Sequence, residues 1–193
     1  MNGSEVLPNL RAHYTAFFEG HALTEHRRRV GPIASIVPEF TVVRVAPGLK
    51  TRFWTYLSLG ASLAPHGDAR LEFLFLAPFP SDRMVDLLAW SVHYHYGHQL
   101  GLGHTMPIGE PWLSQSSCDH LLVSRPYPLG PGLEVCPLTS GHAHVFWLVP
   151  ITEAERNYKR AHGTEALETL FEERGLQYWA PDRESLVLSE GAG

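Results

Sequence analysis

Three short apolar runs, each bounded by turn-forming residues, constrain the fold of this chain more than any other feature. They cover residues 40–45, 52–59 and 71–76, and their β-branched and aromatic side chains are typical of strands. Proline and glycine stand between the runs, where they end one strand and turn the chain toward the next. Short strands separated in this way predict an antiparallel meander.

Helices are predicted on both sides of this meander, from helical spacing of apolar residues and from capping signals. They are residues 7–19, a helix capped by Ser81 or Asp82 that reaches Val92, a short helix that begins with the capping box Thr152 and Glu155, and residues 164–174. Further strands are expected at residues 120–124, 133–138, 144–149 and 178–188. Strands and helices in this order predict an α+β fold, with a mixed, mainly antiparallel sheet flanked by helices.

Two internal segments are predicted to be irregular. Residues 21–38 contain a run of charged residues followed by Gly31, and residues 93–109 combine histidines with glycines and prolines that disfavour a regular helix or a long strand. The tail, residues 189–193, is expected to fray. Since no linker separates these parts, the sequence predicts one domain over residues 1–193, with a core at about 40–175.

The charge balance bears on the class of partner and on the compartment. A net charge of -5 argues against a nucleic-acid binder, and the basic run at residues 27–29 is expected to be a solvated loop or helix end. Neither a signal peptide nor an apolar run of membrane-spanning length is visible. With Cys118 and Cys136 both expected to be free thiols, the sequence predicts a cytoplasmic protein, and no cofactor is implied.

Four segments, taken in order, resemble the suppressor of fused family. They are the strand LEFLFL at residues 71–76, the helix from Met84 to Val92, the loop GLGHTMPIGEPW at residues 101–112, and the pairing of DHLLV at 119–123 with VFWLVPITEAE at 145–155. A helix like that of residues 163–171 usually follows in the family. The resemblance spans about residues 40–175 and is nearest to the compact bacterial members, which lack the second domain of the animal proteins.

The resemblance implies a protein that binds other proteins and is not an enzyme. Animal members sequester a zinc-finger transcription factor by clamping a short peptide of it as an added strand. Bacterial members are often encoded near polymorphic toxins and are thought to act as immunity proteins. In the animal proteins an acidic residue precedes the loop histidine and helps grip the peptide. Gly103 stands at that position here, before His104, so the resemblance implies the same scaffold with a different ligand.

The residues themselves also favour a binding surface for a protein or an extended peptide. A sheet of short strands leaves edges that can pair with such a peptide, and loops on a rigid scaffold commonly carry binding residues. The predicted partner-binding residues are Gly103, His104, Thr105, Glu110, Trp112 and His120. For Trp112 a place in the core is an equally good prediction.

A thiol enzyme is one rival interpretation, because Cys118, Asp119 and His120 are neighbours in the sequence. On a regular strand Cys118 and His120 would share one face while Asp119 points away. Adjacent residues rarely give the geometry of a nucleophile, a base and an orienting group. No catalytic residues are therefore predicted.

A metal site is the other rival interpretation, because the chain contains 12 histidines. Four of them cluster in the sequence: His93, His95, His98 and His104. Zinc sites usually take histidines at i and i+4 or closely spaced cysteines, and neither pattern occurs. Exposed or hydrogen-bonded imidazoles are the preferred interpretation, and no metal ligands are predicted.

Overall fold

The computed structural model describes residues 5–27, 31–66 and 70–187. Within those ranges the strands are β1 (Leu23–Arg27), β2 (Thr41–Val45), β3 (Trp54–Leu59), β4 (Arg70–Ala77), β5 (Thr105–Pro107), β6 (Cys118–Ser124), β7 (Val135–Pro137) and β8 (His142–Thr152). The helices are α1 (Val6–Phe17), α2 (Pro32–Ile36), α3 (Asp82–His98), α4 (Pro131–Glu134), α5 (Glu153–His162) and α6 (Thr164–Glu173), and a short 3-10 helix spans Ala61–Leu63.

All of these strands form one sheet, in the order β1-β2-β3-β4-β8-β6-β5, and β7 pairs with the beginning of β8. β1 to β4 are an antiparallel meander, β4 and β8 run parallel, and the other pairs are antiparallel. The predicted α+β fold with a mixed, mainly antiparallel sheet is confirmed. β1 and β5 are the two ends of this strand order, and β7, which pairs with β8 alone among the described strands, is a further edge.

The central strand β4 has apolar side chains on both faces of the sheet, and helices cover both faces. Alternate side chains of a strand point to opposite faces, and Phe73 and Phe75 join the core beneath α3. Leu74 and Leu76 join a second core beneath α1 and α6, together with Leu167 of α6. A strand buried on both faces reads as a continuous apolar run, and residues 71–76 follow this pattern except at the buried Glu72.

Hydrogen bonds confirm two of the predicted helix starts, those of α3 and α5. The hydroxyl of Ser81 accepts the N–H of Arg83 (3.2 Å) at the start of α3. In the capping box of α5, the N–H of Glu155 donates to the Thr152 hydroxyl (3.2 Å), and the Thr152 N–H donates to the Glu155 carboxylate (2.9 Å). Each bond satisfies a backbone or side-chain group that the first helical turn leaves unpaired.

Two segments predicted as irregular are wrong in part. Residues 21–38 contain β1 and α2. α3 continues through residues 93–98, because the buried imidazole of His95 extends its apolar face and packs against Phe73 with ring centroids 5.2 Å apart. The helix ends at Gln99, whose backbone is left-handed and whose N–H donates to the His95 carbonyl oxygen (2.9 Å).

Two strand predictions are also corrected. In residues 133–138 the strand is only β7, because α4 ends at Glu134 and the chain pairs with β8 only beyond it. Residues 178–187 form turns and no strand, and side chains such as Arg183 hold them to the rest of the fold. Residue 188, the tail at 189–193 and two of the arginines in the basic run lie outside the described residues. No helix in the described ranges has both the length and the apolar character needed to span a membrane.

Candidate functional site

The predicted binding loop contains β5, the strand at one edge of the sheet. Among the described strands β5 pairs with β6 alone, and Thr105 lies opposite Leu122 while Pro107 lies opposite His120. The loop lies between α3, which ends at His98, and β6, which begins at Cys118, and β5 within it is paired with β6. This places the loop on a rigid frame at an open edge.

Two backbone groups of β5 point away from the sheet. The N–H of Val123 donates to the His104 carbonyl oxygen (2.9 Å), so that carbonyl faces β6. In a planar trans peptide the following N–H points the opposite way, and the N–H of Thr105 therefore faces outward. The N–H of Ile108 likewise donates to the β6 side (2.9 Å), which turns the Pro107 carbonyl outward. These two groups form a donor and an acceptor for an added strand.

Gly103 occupies a position that only glycine fits without strain. Its φ is +78°, in the left-handed region, and a Cβ there would lie 2.8 Å from the hydroxyl oxygen of Thr164 at the start of α6. Its N–H donates to the Val123 carbonyl oxygen (2.8 Å). Packing between the loop and α6 thus requires glycine here. His104, which follows it, is exposed.

Glu110 ties the loop to the start of α3. Its exposed carboxylate lies 2.7 Å from Nη1 of Arg83, and Nη2 of Arg83 donates to the Pro111 carbonyl oxygen (3.3 Å). An ion pair this exposed contributes little to stability. It nevertheless leaves the Glu110 carboxylate accessible beside a positive charge.

Trp112 lies in the core and not on the surface. Its side chain is 1% exposed and belongs to the apolar cluster beneath α3. The backbone N–H of Trp112 donates to the Cys118 carbonyl oxygen (3.0 Å), whereas the buried indole N–H has no hydrogen-bond partner among the described residues. Burial of this large apolar ring stabilises the fold more than an exposed position would. In this conformation Trp112 supports the loop from below and is not available to a partner.

His120, whose side chain is only 12% exposed, lies next to a β-bulge in β6. Cys118 pairs with Thr152 and His120 with Ile151, so the bulge falls between them. The prediction that Cys118 and His120 share a face is wrong, because a bulge interrupts the alternation of side chains. Cys118 belongs to the core beneath α3, whereas Nδ1 of His120 lies 2.7 Å from the Asp119 carboxylate.

The thiol of Cys118 has the character of a core residue. It is fully buried and unpaired, like that of Cys136. Burial, the largest of several influences, raises the pKa of the Cys118 thiol. A protonated, inaccessible thiol is a poor nucleophile, so its geometry gives no support to a thiol enzyme.

The histidines of α3 do not gather into a ligand set. His95 is buried, and its Nδ1 accepts the N–H of Leu100 (3.0 Å). Burial, and to a lesser degree the charge of His66, lowers the pKa of His95 to about 4. His98 stacks on Tyr94 with ring centroids 4.2 Å apart. In the ranges that the structure covers, no three His, Cys, Asp or Glu side chains come together in a way that could hold a metal ion.

These observations define an α+β protein with helices on both faces of one mixed sheet and an edge strand set in a glycine-containing loop. The family model of suppressor of fused protein (SUFU) matches residues 37–184. The chain belongs to the suppressor of fused family.

Solved structures agree with this assignment. A suppressor of fused homolog from Neisseria gonorrhoeae is 33% identical over 94% of this chain and 97% of its own, with a TM-score of 0.83. The Sufu–Fu complex matches 94% of this chain and 92% of its own at 14% identity and a TM-score of 0.69, and it shows likeness of fold. Drosophila Suppressor of Fused matches at 14% identity and a TM-score of 0.59 over 95% of this chain but 50% of its own. Comparison with curated proteins finds no match.

Proposed function

We propose that this chain is a non-catalytic protein-binding module, which sequesters a partner by pairing an extended segment of it with the outer edge of β5. The observation that carries the proposal is the outward N–H of Thr105 together with the outward carbonyl of Pro107. Addition of a strand to an open edge is a common way to bind a peptide. The solved complex of a family member with Fu supports binding at the level of the fold.

The shortness of β5 sets limits on this binding mode. Two hydrogen bonds contribute about 0.5–1.5 kcal/mol each, which is too little for a specific complex. Pro107 also removes an N–H from the edge, and proline at an edge protects a sheet from unselective pairing. Specificity must then come from side chains beside the edge, and His104, Thr105, Glu110 and His120 are the candidates.

The partner in this proposal is a protein toxin, and the chain acts as its immunity protein in the cytoplasm. The bacterial homolog that resembles this chain over nearly its whole length supports a bacterial role. Two unpaired, buried thiols support a reducing compartment. The continuous sheet supports treatment of residues 1–193 as one binding domain.

Co-expression with a toxin encoded beside its gene tests this function. We expect a stoichiometric complex on purification and restored growth of the host cell. Thr105→Pro removes the outward N–H and should weaken the complex, whereas Thr105→Val keeps that N–H and serves as the matched control. Thermal unfolding of both variants checks that each is folded.

Two results would contradict the proposal. One is an unprotected host and no complex with any neighbouring toxin, combined with turnover of a small substrate by the purified chain. The other is equal binding by the folded Thr105→Pro and Thr105→Val variants, which would exclude the β5 edge. Toxin binding by His104→Ala is a second measurement. It tests an exposed side chain beside the edge, because this change leaves the β5 backbone in place.

A further inference from the structure

A groove of about 660 Å³ lies between α6 and the sheet, and we call it the α6 groove. Leu122 of β6 and Trp147 and Val149 of β8 line it from the sheet. Residues of α6 and the aromatic pair Tyr178 and Trp179 line it from the other elements. Its apolar lining lies on the face of the sheet that α1 and α6 cover.

The α6 groove adjoins the edge strand of the proposed binding surface. Thr105 of β5 lies directly opposite Leu122, and residues opposite each other in a ladder project from the same face. Neighbouring strands are about 4.8 Å apart. A segment paired with β5 would lie two strand spacings, about 10 Å, from Leu122, so its long side chains on that face would point toward the α6 groove.

Three glutamates give the α6 groove a negative wall. Glu165, Glu168 and Glu172 are spaced three and four residues apart on α6 and all line the groove. Among the described residues that line it there is no lysine or arginine. Like charges at this spacing destabilise a helix, and a glutamate in the last turn also opposes the helix dipole. A positive charge brought by a partner would relieve both effects.

The arginines nearest in sequence are engaged elsewhere. Nη1 of Arg125 lies 2.7 Å from Glu134, and Arg174 donates to the Leu186 carbonyl oxygen (2.9 Å). Within the groove, Glu168 accepts a hydrogen bond from the Ser124 hydroxyl (2.5 Å), which satisfies part of its carboxylate and leaves its charge unbalanced. In these contacts neither arginine pairs with Glu165, Glu168 or Glu172.

The aromatic residues suit a cation with an apolar stem. Tyr127 at the rim is 60% exposed, and the ring of Trp147 meets that of Tyr178 edge-on with centroids 5.0 Å apart. The chain already uses such contacts, because the Arg52 guanidinium lies 5.5 Å from the centroid of Trp179. An arginine or lysine can pack its methylene groups on rings while its head reaches carboxylates.

We infer that the α6 groove receives an apolar segment of the protein partner that carries arginine or lysine residues, with one cationic head against Glu165 and another against Glu172, about 10 Å away along α6. The inference rests on the proposed binding function and specifies the chemistry of the partner. Apolar area supplies the affinity, and the glutamates select for positive charge.

Synthetic peptides test the inference on the full chain. One set alternates arginine or lysine with leucine, phenylalanine or tryptophan, and a matched set has glutamate at each basic position. Binding is measured by fluorescence anisotropy, and the indole signal of Trp179 in a proton–nitrogen NMR spectrum reports the place. The indole of Trp90, in α3 on the opposite face, is the internal control.

The variant Glu165→Gln/Glu172→Gln removes two charges from exposed positions of α6. Glu173→Gln/Glu19→Gln removes the same charge from exposed positions that do not line the groove. We expect the first variant to bind the basic peptides about tenfold more weakly or worse, and the second to bind them as the unchanged chain does.

Three results would overturn the inference: equal binding of basic and acidic peptides, equal loss in both double variants, or a shift of Trp90 without one of Trp179. If none of the basic peptides binds while the chain still captures and neutralises its toxin, the inference fails and the proposed function stands. If the toxin is not captured either, both fail.

Discussion

Arg183 donates to both carboxylate oxygens of Glu155, with a donor–acceptor distance of 2.7 Å in each bond, and the Glu155 side chain is fully buried. The same guanidinium donates to the Pro150 carbonyl oxygen of β8 (2.8 Å). Glu155 also completes the capping box with Thr152. One carboxylate therefore joins the start of α5 to the C-terminal segment, whose Tyr178 and Trp179 line the α6 groove.

Removal of this arginine should destabilise the chain strongly. Arg183→Ala leaves the Glu155 charge buried without its partner, at an expected cost of about 3–5 kcal/mol in the free energy of unfolding. Urea denaturation measures the loss. Arg11→Ala is the control, since Arg11 and Glu25 are both nearly half exposed and such a pair contributes about 1 kcal/mol or less. Equal losses would show that the buried pair does not hold the C-terminal segment.

Replacement of the buried carboxylate of Glu72 by a neutral amide should also lower the free energy of unfolding. It accepts the N–H groups of Gly60 (2.9 Å) and Ser62 (3.1 Å), the Ser62 hydroxyl (2.7 Å) and the Ser58 hydroxyl. Glu72→Gln places an amide NH₂ among donors, so we expect a loss of about 2 kcal/mol or more. Exposed Glu39→Gln should change the free energy of unfolding by less than about 0.5 kcal/mol. A neutral effect of Glu72→Gln would contradict this interpretation.

His95 should make stability depend on pH. Its pKa is lowered from 6.5 to about 4, mainly by burial, so the unfolded chain binds the proton more readily. The stabilisation is complete above pH 6.5 and is lost as the pH falls toward 4, by about 3 kcal/mol in all. Urea denaturation across this range should show a steeper dependence for the unchanged chain than for His95→Gln. Exposed His98→Gln should keep the steep dependence, and the same slope in all three proteins would contradict the assignment.

The contact between Gly103 and α6 can be separated from backbone strain. Gly103 and Gly109 have φ of +78° and +75°, but only at Gly103 would a Cβ meet Thr164. Gly109→Ala should therefore cost about 1–2 kcal/mol for the left-handed backbone alone, and Gly103→Ala should cost more. Thermal unfolding compares them. Equal costs would mean that α6 does not restrict the residue before His104.

The sheet could be predicted where local signals agree with the final pairing. The runs at residues 40–45, 52–59 and 71–76 have strand composition and are bounded by turn residues, and they pair with one another in sequence order. β1 escaped prediction because its residues, LTEHR, lie on an edge and are half-buried or exposed, so they show little apolar pattern. α2, of 5 residues, is too short for a helical period to appear.

The candidate site was only partly predictable, because its geometry depends on long-range contacts. The loop at residues 101–112 stands out through its glycines and histidine, but the placement of β8 between β4 and β6, which makes β5 an edge, has no local signal. The bulge after Cys118 and the burial of Trp112 depend on partners far along the chain. The glutamates of α6 are recognisable in the sequence by their helical spacing. The lack of lysine or arginine at the matching positions of residues 164–173 is the signal that could have indicated a negative surface.

The amide of Thr105 offers the most direct test of binding at the β5 edge. Hydrogen exchange is measured by NMR in the free chain and in its complex with the toxin, with Val123, whose N–H already donates to His104 (2.9 Å), as the internal reference. The account predicts rapid exchange at Thr105 in the free chain and strong protection in the complex, with Val123 protected in both. A complex in which Thr105 exchanges as fast as in the free chain would contradict it.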